Sequence, residues 1–171
     1  MSKYNDLSEM YANDSDFYSS YRVNASKLIA KVVLAIKEHI GIPDKQLYFT
    51  PLNEDHKSNT EYSVYGATHI NQDTYCHTGL VIVIERAPNT LPKRSLKMIL
   101  KHKIQNGFFL LNISGSEKEF KFHINNSEMN FSEICEYVYQ VLVSEIDNSF
   151  KKFLDGDSSQ NIKEYEKTVL N

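Results

Sequence analysis

Cysteine is scarce in this chain: of 171 residues, two are cysteines, Cys76 and Cys135. They stand apart with no C-x-x-C pair, so neither a disulfide framework nor a zinc knuckle is indicated, and a reducing compartment fits best. Arginine is confined to Arg22, Arg86 and Arg94, which argues against bidentate clamping of phosphates or reading of base edges. Positive charge is not in excess either: 19 basic against 22 acidic residues give a formal charge of -3, which offers no overall attraction to nucleic acid or to an anionic membrane. An apolar run of about 18 residues is missing, and the opening stretch MSKYNDLSEMYANDSDFYSSY is polar and acidic with no apolar centre. Neither a spanning helix nor a secretory signal is therefore expected, and the chain reads as cytoplasmic. Gly-rich phosphate loops, G-x-S-x-G elbows and H-E-x-x-H helices are absent too.

What is present suits a folded domain. Hydrophobic residues make up 41% and charged residues 24%, ordinary globular values, and the length suffices to bury a core without disulfides or metals. Residues 24–154 read as one domain. Before them, 1–23 is a polar segment with five aromatics, Tyr4, Tyr11, Phe17, Tyr18 and Tyr21, too many for an inert tail. After them, 155–171 is a polar C-terminal tail.

Asn24 is a good N-cap, and Ala25, Leu28, Ile29, Val32, Val33, Ile36 and Ile40 follow helical spacing up to the stop signal Gly41 and Pro43. Three strands are expected next, at 46–50 (QLYFT), 60–68 (TEYSVYGAT) and 79–85 (GLVIVIE). The last is apolar on both faces and should be central. Residues 91–107 fit either period. As a strand they would end in an Asn106-Gly107 hairpin turn; as a helix they would place Pro92 in the first turn and Gly107 just past the end. Length favours the helix, since an average strand is about half as long. A hairpin of 108–114 and 118–124 follows, then a helix opened by Ser132 whose stripe is Ile134, Val138, Val141, Leu142, Ile146, Phe150 and Phe153. The expected fold class is thus α+β, an antiparallel sheet of about five strands with helices packed on it, in the order α-βββ-α-ββ-α.

The stretch THINQDTYCHTG, 68–79, brings His69, Cys76 and His77 within nine positions. A metal site needs three or four converging ligands, and neighbours 76 and 77 point to opposite faces of an extended chain. A polar connection between two strands, with Asn71-Gln72-Asp73 as turn chemistry, accounts for the residues. A cysteine-histidine catalytic pair lacks an orienting third group. Asp44, Glu119 and Lys121 have the residue types of a metal-dependent nuclease, in which carboxylates hold Mg²⁺ and lysine assists water; strand alternation already explains Glu119 and Lys121. The basic run Lys93, Arg94, Lys97, Lys101, His102 and Lys103 reads as a solvated face, with phosphate binding as the alternative.

The landmarks LIAKVVLAIKEHIGIP with LYF, SLKMILKHKIQNGFFLLNIS, and FSEICEYVYQVLVSEI, spanning about residues 24–154, resemble in their order of elements the small chaperones of type III secretion (the Tir-chaperone or class I effector group) and the YbjN-like proteins of the same fold. Those families are usually shorter and more acidic, and lack the aromatic N-terminal segment. The resemblance implies a bacterial, non-enzymatic homodimer without cofactor or metal that keeps an extended segment of a client protein soluble. It implies pairing through the second helix, here Leu96, Ile99 and Leu100, and client contacts at Phe49, Tyr62, Val64 and Tyr65. The alternatives are an immunity-type protein that binds a folded toxin domain, and the nuclease. Protein is the expected partner; nucleic acid and membrane are not.

Overall fold

The computed structural model describes residues 2–52, 62–87, 90–91, 93–126 and 129–154, the last six by backbone alone; the expected tail 155–171 lies outside them. The fold is α+β. A long helix α1 (Lys3–Ile40) leads through a 3-10 turn into β1 (Leu47–Thr50). A one-turn helix α2 (Val64–Ala67) comes next, then β2 (Thr68–Ile70), β3 (Cys76–Glu85), β4 (Lys93–Gln105), β5 (Phe108–Ile113), β6 (Glu119–His123) and the helix α3 (Ser132–Leu154). The strands form a six-stranded sheet in the order β1-β3-β4-β5-β6, with β2 also paired to β3, and every pairing is antiparallel.

Side-chain alternation fixes which face is buried. Thr78, Leu80 and Ile82 of β3 lie opposite Leu100, Met98 and Leu96 of β4, and Leu111 and Phe109 of β5 continue the row to Phe120 and Phe122 of β6. Onto this face α1 packs Ile29, Val32, Val33 and Ile36, and α3 packs Ile134, Cys135, Val138 and Leu142. The result is a two-layer arrangement with both helices on one side of the sheet. The apolar β3 is central, as its composition led one to expect, with β1 and β2 on one flank and β4 on the other.

Three expectations need correction. First, residues 91–107 hold no helix: β4 is a 13-residue strand. Across it Lys93, Ser95, Lys97, Lys101 and Lys103 alternate with Arg94, Leu96, Met98, Leu100, His102 and Ile104, and Asn106 (φ 52°) and Gly107 (φ 78°) close the hairpin to β5 with two left-handed residues. Pairing on both flanks and a sound turn outweigh length. Leu96, Ile99 and Leu100 are therefore not on a dimerising helix. Leu100 is fully buried, Leu96 packs against the same core, and Ile99 lies on the opposite face of the sheet.

Second, the strand expected at 60–68 is broken. Residues 60 and 61 lie outside the described residues, and the Ser63 hydroxyl accepts from the Gly66 N–H at 3.0 Å, capping the single turn α2 before β2 begins at Thr68.

Third, α1 does not begin after Asn24. It runs 38 residues from a cap at Ser2, whose hydroxyl accepts from the Asn5 N–H, a length of about 57 Å at the helical rise. Gly41 (φ 75°) ends it as the sequence suggested, donating its N–H to the Lys37 carbonyl. The segment 1–23 is thus, from Lys3 on, the first half of the same helix that crosses the core.

Candidate functional site

The stretch that looked most like chemistry, 68–79, folds as the hairpin of β2 and β3. Thr74 N–H donates to the Asn71 carbonyl and Asn71 N–H to the Tyr75 carbonyl, both at 3.0 Å, and Thr74 takes a left-handed φ of 64°. Cys76 and His77 fall on opposite faces. Cys76 is buried, and burial pushes its thiol up to about 11, so it is not a thiolate at neutral pH. His77 sits across from His69 in the ladder, and its Nε2 lies 2.9 Å from Asp73 Oδ2. Among the described residues no three His, Cys, Asp or Glu side chains come together in a way that could hold a metal ion.

Beneath the hairpin runs a buried polar chain whose proton direction is fixed by its end. Thr68 Oγ1 donates to the Val64 carbonyl at 2.7 Å, which can only accept. The 2.8 Å contact between Thr68 and Thr78 must then be donated by Thr78, and the 2.9 Å contact between Thr78 and His102 must be donated by His102 Nε2–H. Nδ1 of His102 is buried without a partner, so a second proton there would find no acceptor and the ring stays neutral. Burial pushes its pKa down to about 3, with His77 nearby adding to the shift. The chain fastens α2, β2, β3 and β4 together, which is structural work.

The larger feature is the first half of α1. Ala25, Ile29, Val32 and Ile36 define its core face; Tyr4, Tyr11 and Tyr18 continue that face outward, each seven residues from the next and Tyr18 seven from Ala25, with Leu7 between them. Outside the body these residues meet solvent: Tyr4 and Tyr11 are 76% exposed, and Leu7, Met10, Phe17 and Tyr18 are exposed as well. The opposite side of this arm carries Asp6, Glu9, Asn13 and Asp16. An arm with an apolar face and a polar face is built like a core helix that lacks its core.

The arm is anchored where it leaves the body. Beyond Cys76, the last residue of β3 in register with β4, the Ile104 N–H would face open space, and the Tyr21 hydroxyl accepts it at 3.0 Å. Arg22 Nη2 donates to the Tyr65 carbonyl at 2.7 Å while its guanidinium lies 4.0 Å from the centre of the Tyr65 ring; its Nε is buried without an acceptor. Between these anchors opens a pocket of about 460 Å³ lined by Tyr18, Ser19, Arg22, Tyr65, His69 and Ile70. Stripe and pocket share Tyr18, so they form one surface.

No family model, curated protein or solved structure matches this chain.

Of the residues expected to meet a client, Tyr65 lines the pocket and is exposed. Phe49 and Val64 are half-buried and pack against the core, and Tyr62 is half-buried ahead of α2. The nuclease residues are not brought together. Asp44 pairs with Lys37 before β1, whereas Glu119 and Lys121 lie on β6 at the other edge of the sheet, roughly 19 Å away at the usual strand spacing. Glu119 there accepts from the Tyr75 hydroxyl at 3.1 Å. The lysines of β4 share one face, but Lys93 pairs with Glu85, Lys101 with Asp73, and Lys103 lies over the Tyr75 ring. Tyr4 and Tyr11 stand out in the sequence as aromatics of an uncommitted segment, but the register that joins them and Leu7 to the core face is hidden there, because Asp14 falls within the stripe and Asn24 has the character of a helix start.

Proposed function

We propose that the protein is a non-enzymatic protein-binding module whose working surface is the aromatic face of the α1 arm together with the pocket at its root. The observation that carries this reading is the continuation of the core face of α1 for some twenty residues past the body, with its large apolar side chains in solvent. Most helical stability in proteins comes from packing of an apolar face and not from propensity, and the arm is rich in Tyr, Asn, Asp and Ser, all weaker helix formers than alanine or leucine. Covering the stripe supplies the missing stabilisation. Tyrosines suit that role, since each offers a large rigid apolar surface with a polar tip. Such a surface takes an apolar segment of a protein, as an effector chaperone takes its client; of the resemblance to those chaperones the α+β class remains, since the second helix through which they pair is here the strand β4.

The test is a photo-crosslinking amino acid placed at Tyr11 of the full chain, in cells, with Asp16 on the polar side of the arm as the control position. The reading expects protein adducts from position 11 and few from 16. Equal, background-level adducts from both would refute it.

A further inference from the structure

We propose that the segment covering the arm is the arm of a second copy, packed antiparallel, so that the tip of each arm ends against the root pocket of the other. The inference rests on the reading above, that this surface binds protein, and goes further by naming the occupant.

Area is the first argument. Six large side chains of the arm, Tyr4, Leu7, Met10, Tyr11, Phe17 and Tyr18, are each between 59% and 76% exposed. At roughly 200 Å² per large side chain, they present on the order of 800 Å², which is what each partner of a standard stable interface buries. The stripe itself, Tyr4, Leu7, Tyr11 and Tyr18, supplies about 550 Å² of this at the same area per side chain and Met10 and Phe17 on its flank supply the rest, so the contact of each tip with the other root is part of the interface.

Direction follows from where the body sits. The stripe is the continuation of the face that becomes core after Ala25, so the space beside the arm is open along the arm and closed at the root by β2 and the end of β4. A parallel partner would bring its own body to that same place, on the side already filled. An antiparallel partner puts its body at the far end, and each arm stops where the other body begins. This is an isologous two-fold contact, which closes at two copies.

The root fits an incoming tip. Tyr4 and Leu7 stand about 21 and 17 Å from Tyr18 along the helix axis at the helical rise, so an arm laid antiparallel with its Tyr18 near Tyr4 sets its own Tyr4 beside the pocket of Tyr18, Arg22, Tyr65 and His69.

The experiment uses the full chain. Light scattering on the wild type at micromolar concentration is expected to give twice the chain mass, and Tyr11→Asp and Leu7→Asp are expected to give one chain mass with an unchanged thermal transition in dilute solution. A nitroxide at Ser20→Cys, an exposed position where the buried Cys76 and Cys135 do not compete for label, distinguishes direction. Antiparallel arms hold the two labels roughly 25 Å apart along the axis, and parallel arms hold them side by side. A monomeric wild type, a dimer indifferent to Tyr11→Asp, or adjacent Ser20 labels would each overturn the proposal. If the wild type is monomeric while the crosslinker at position 11 captures another protein, the binding surface stands and its assignment to a second copy fails.

Discussion

At the residue scale the most informative side chain is His102. In the sequence it sits in a basic run and looks solvated, yet the alternation of Leu96, Met98, Leu100, His102 and Ile104 puts it on the apolar side of a strand, and the structure buries it completely. The strand period that carries it inward is matched by an equally good helical period in the sequence, and the pairing with β3 and β5 decides between them. Its protonation follows. In the fold its pKa is pushed down from 6.5 to about 3 by burial, so as pH falls below the ordinary value the unfolded chain takes up a proton that the folded chain refuses. The stabilisation is complete above about pH 6.5 and is lost progressively toward pH 3. Urea unfolding at pH 7 and pH 5 is expected to show lower stability at pH 5, and His102→Leu is expected to reduce that difference. At pH 7 the same variant removes the donor to Thr78 and costs about 1–3 kcal/mol.

Elements show where local signals suffice and where they do not. The start of α3, the hairpin of β5 and β6, and the end of α1 at Gly41 are legible in the sequence because each is fixed by a cap or turn within a few residues. Whether 91–107 is strand or helix is not, because both periods fit and the deciding fact is tertiary: β3 and β5 flank the segment on either side. Three substitutions test this assignment. Gly107→Val forces a branched residue into the left-handed conformation of the turn (φ 78°) and is expected to cost about 1–2 kcal/mol in chemical denaturation, while Lys101→Gly in mid-strand, on the face opposite the core, tests the length of the strand. Leu100→Ala, fully buried in the core, is expected to cost about 2–5 kcal/mol, whereas a residue on a dimerising helix face would mainly change the mass of the particle.

On the scale of the whole molecule, half of α1 lies outside the body it belongs to. The candidate site is legible only in part: the five aromatics in 1–23 are too many for a tail, but the capping residue Asn24 interrupts the sequence pattern and hides the register that joins Tyr4, Tyr11 and Tyr18 to Ala25 and Val32. If a second copy covers the arm, association is linked to folding, and the thermal midpoint of the wild type is expected to rise with protein concentration while that of Tyr11→Asp stays constant. The most direct measurement is amide hydrogen exchange of residues 4–18 in the full chain across a concentration series. The account predicts arm amides that are protected at high concentration, approaching those of 25–36, and that lose protection on dilution; an arm that exchanges freely at every concentration would contradict it.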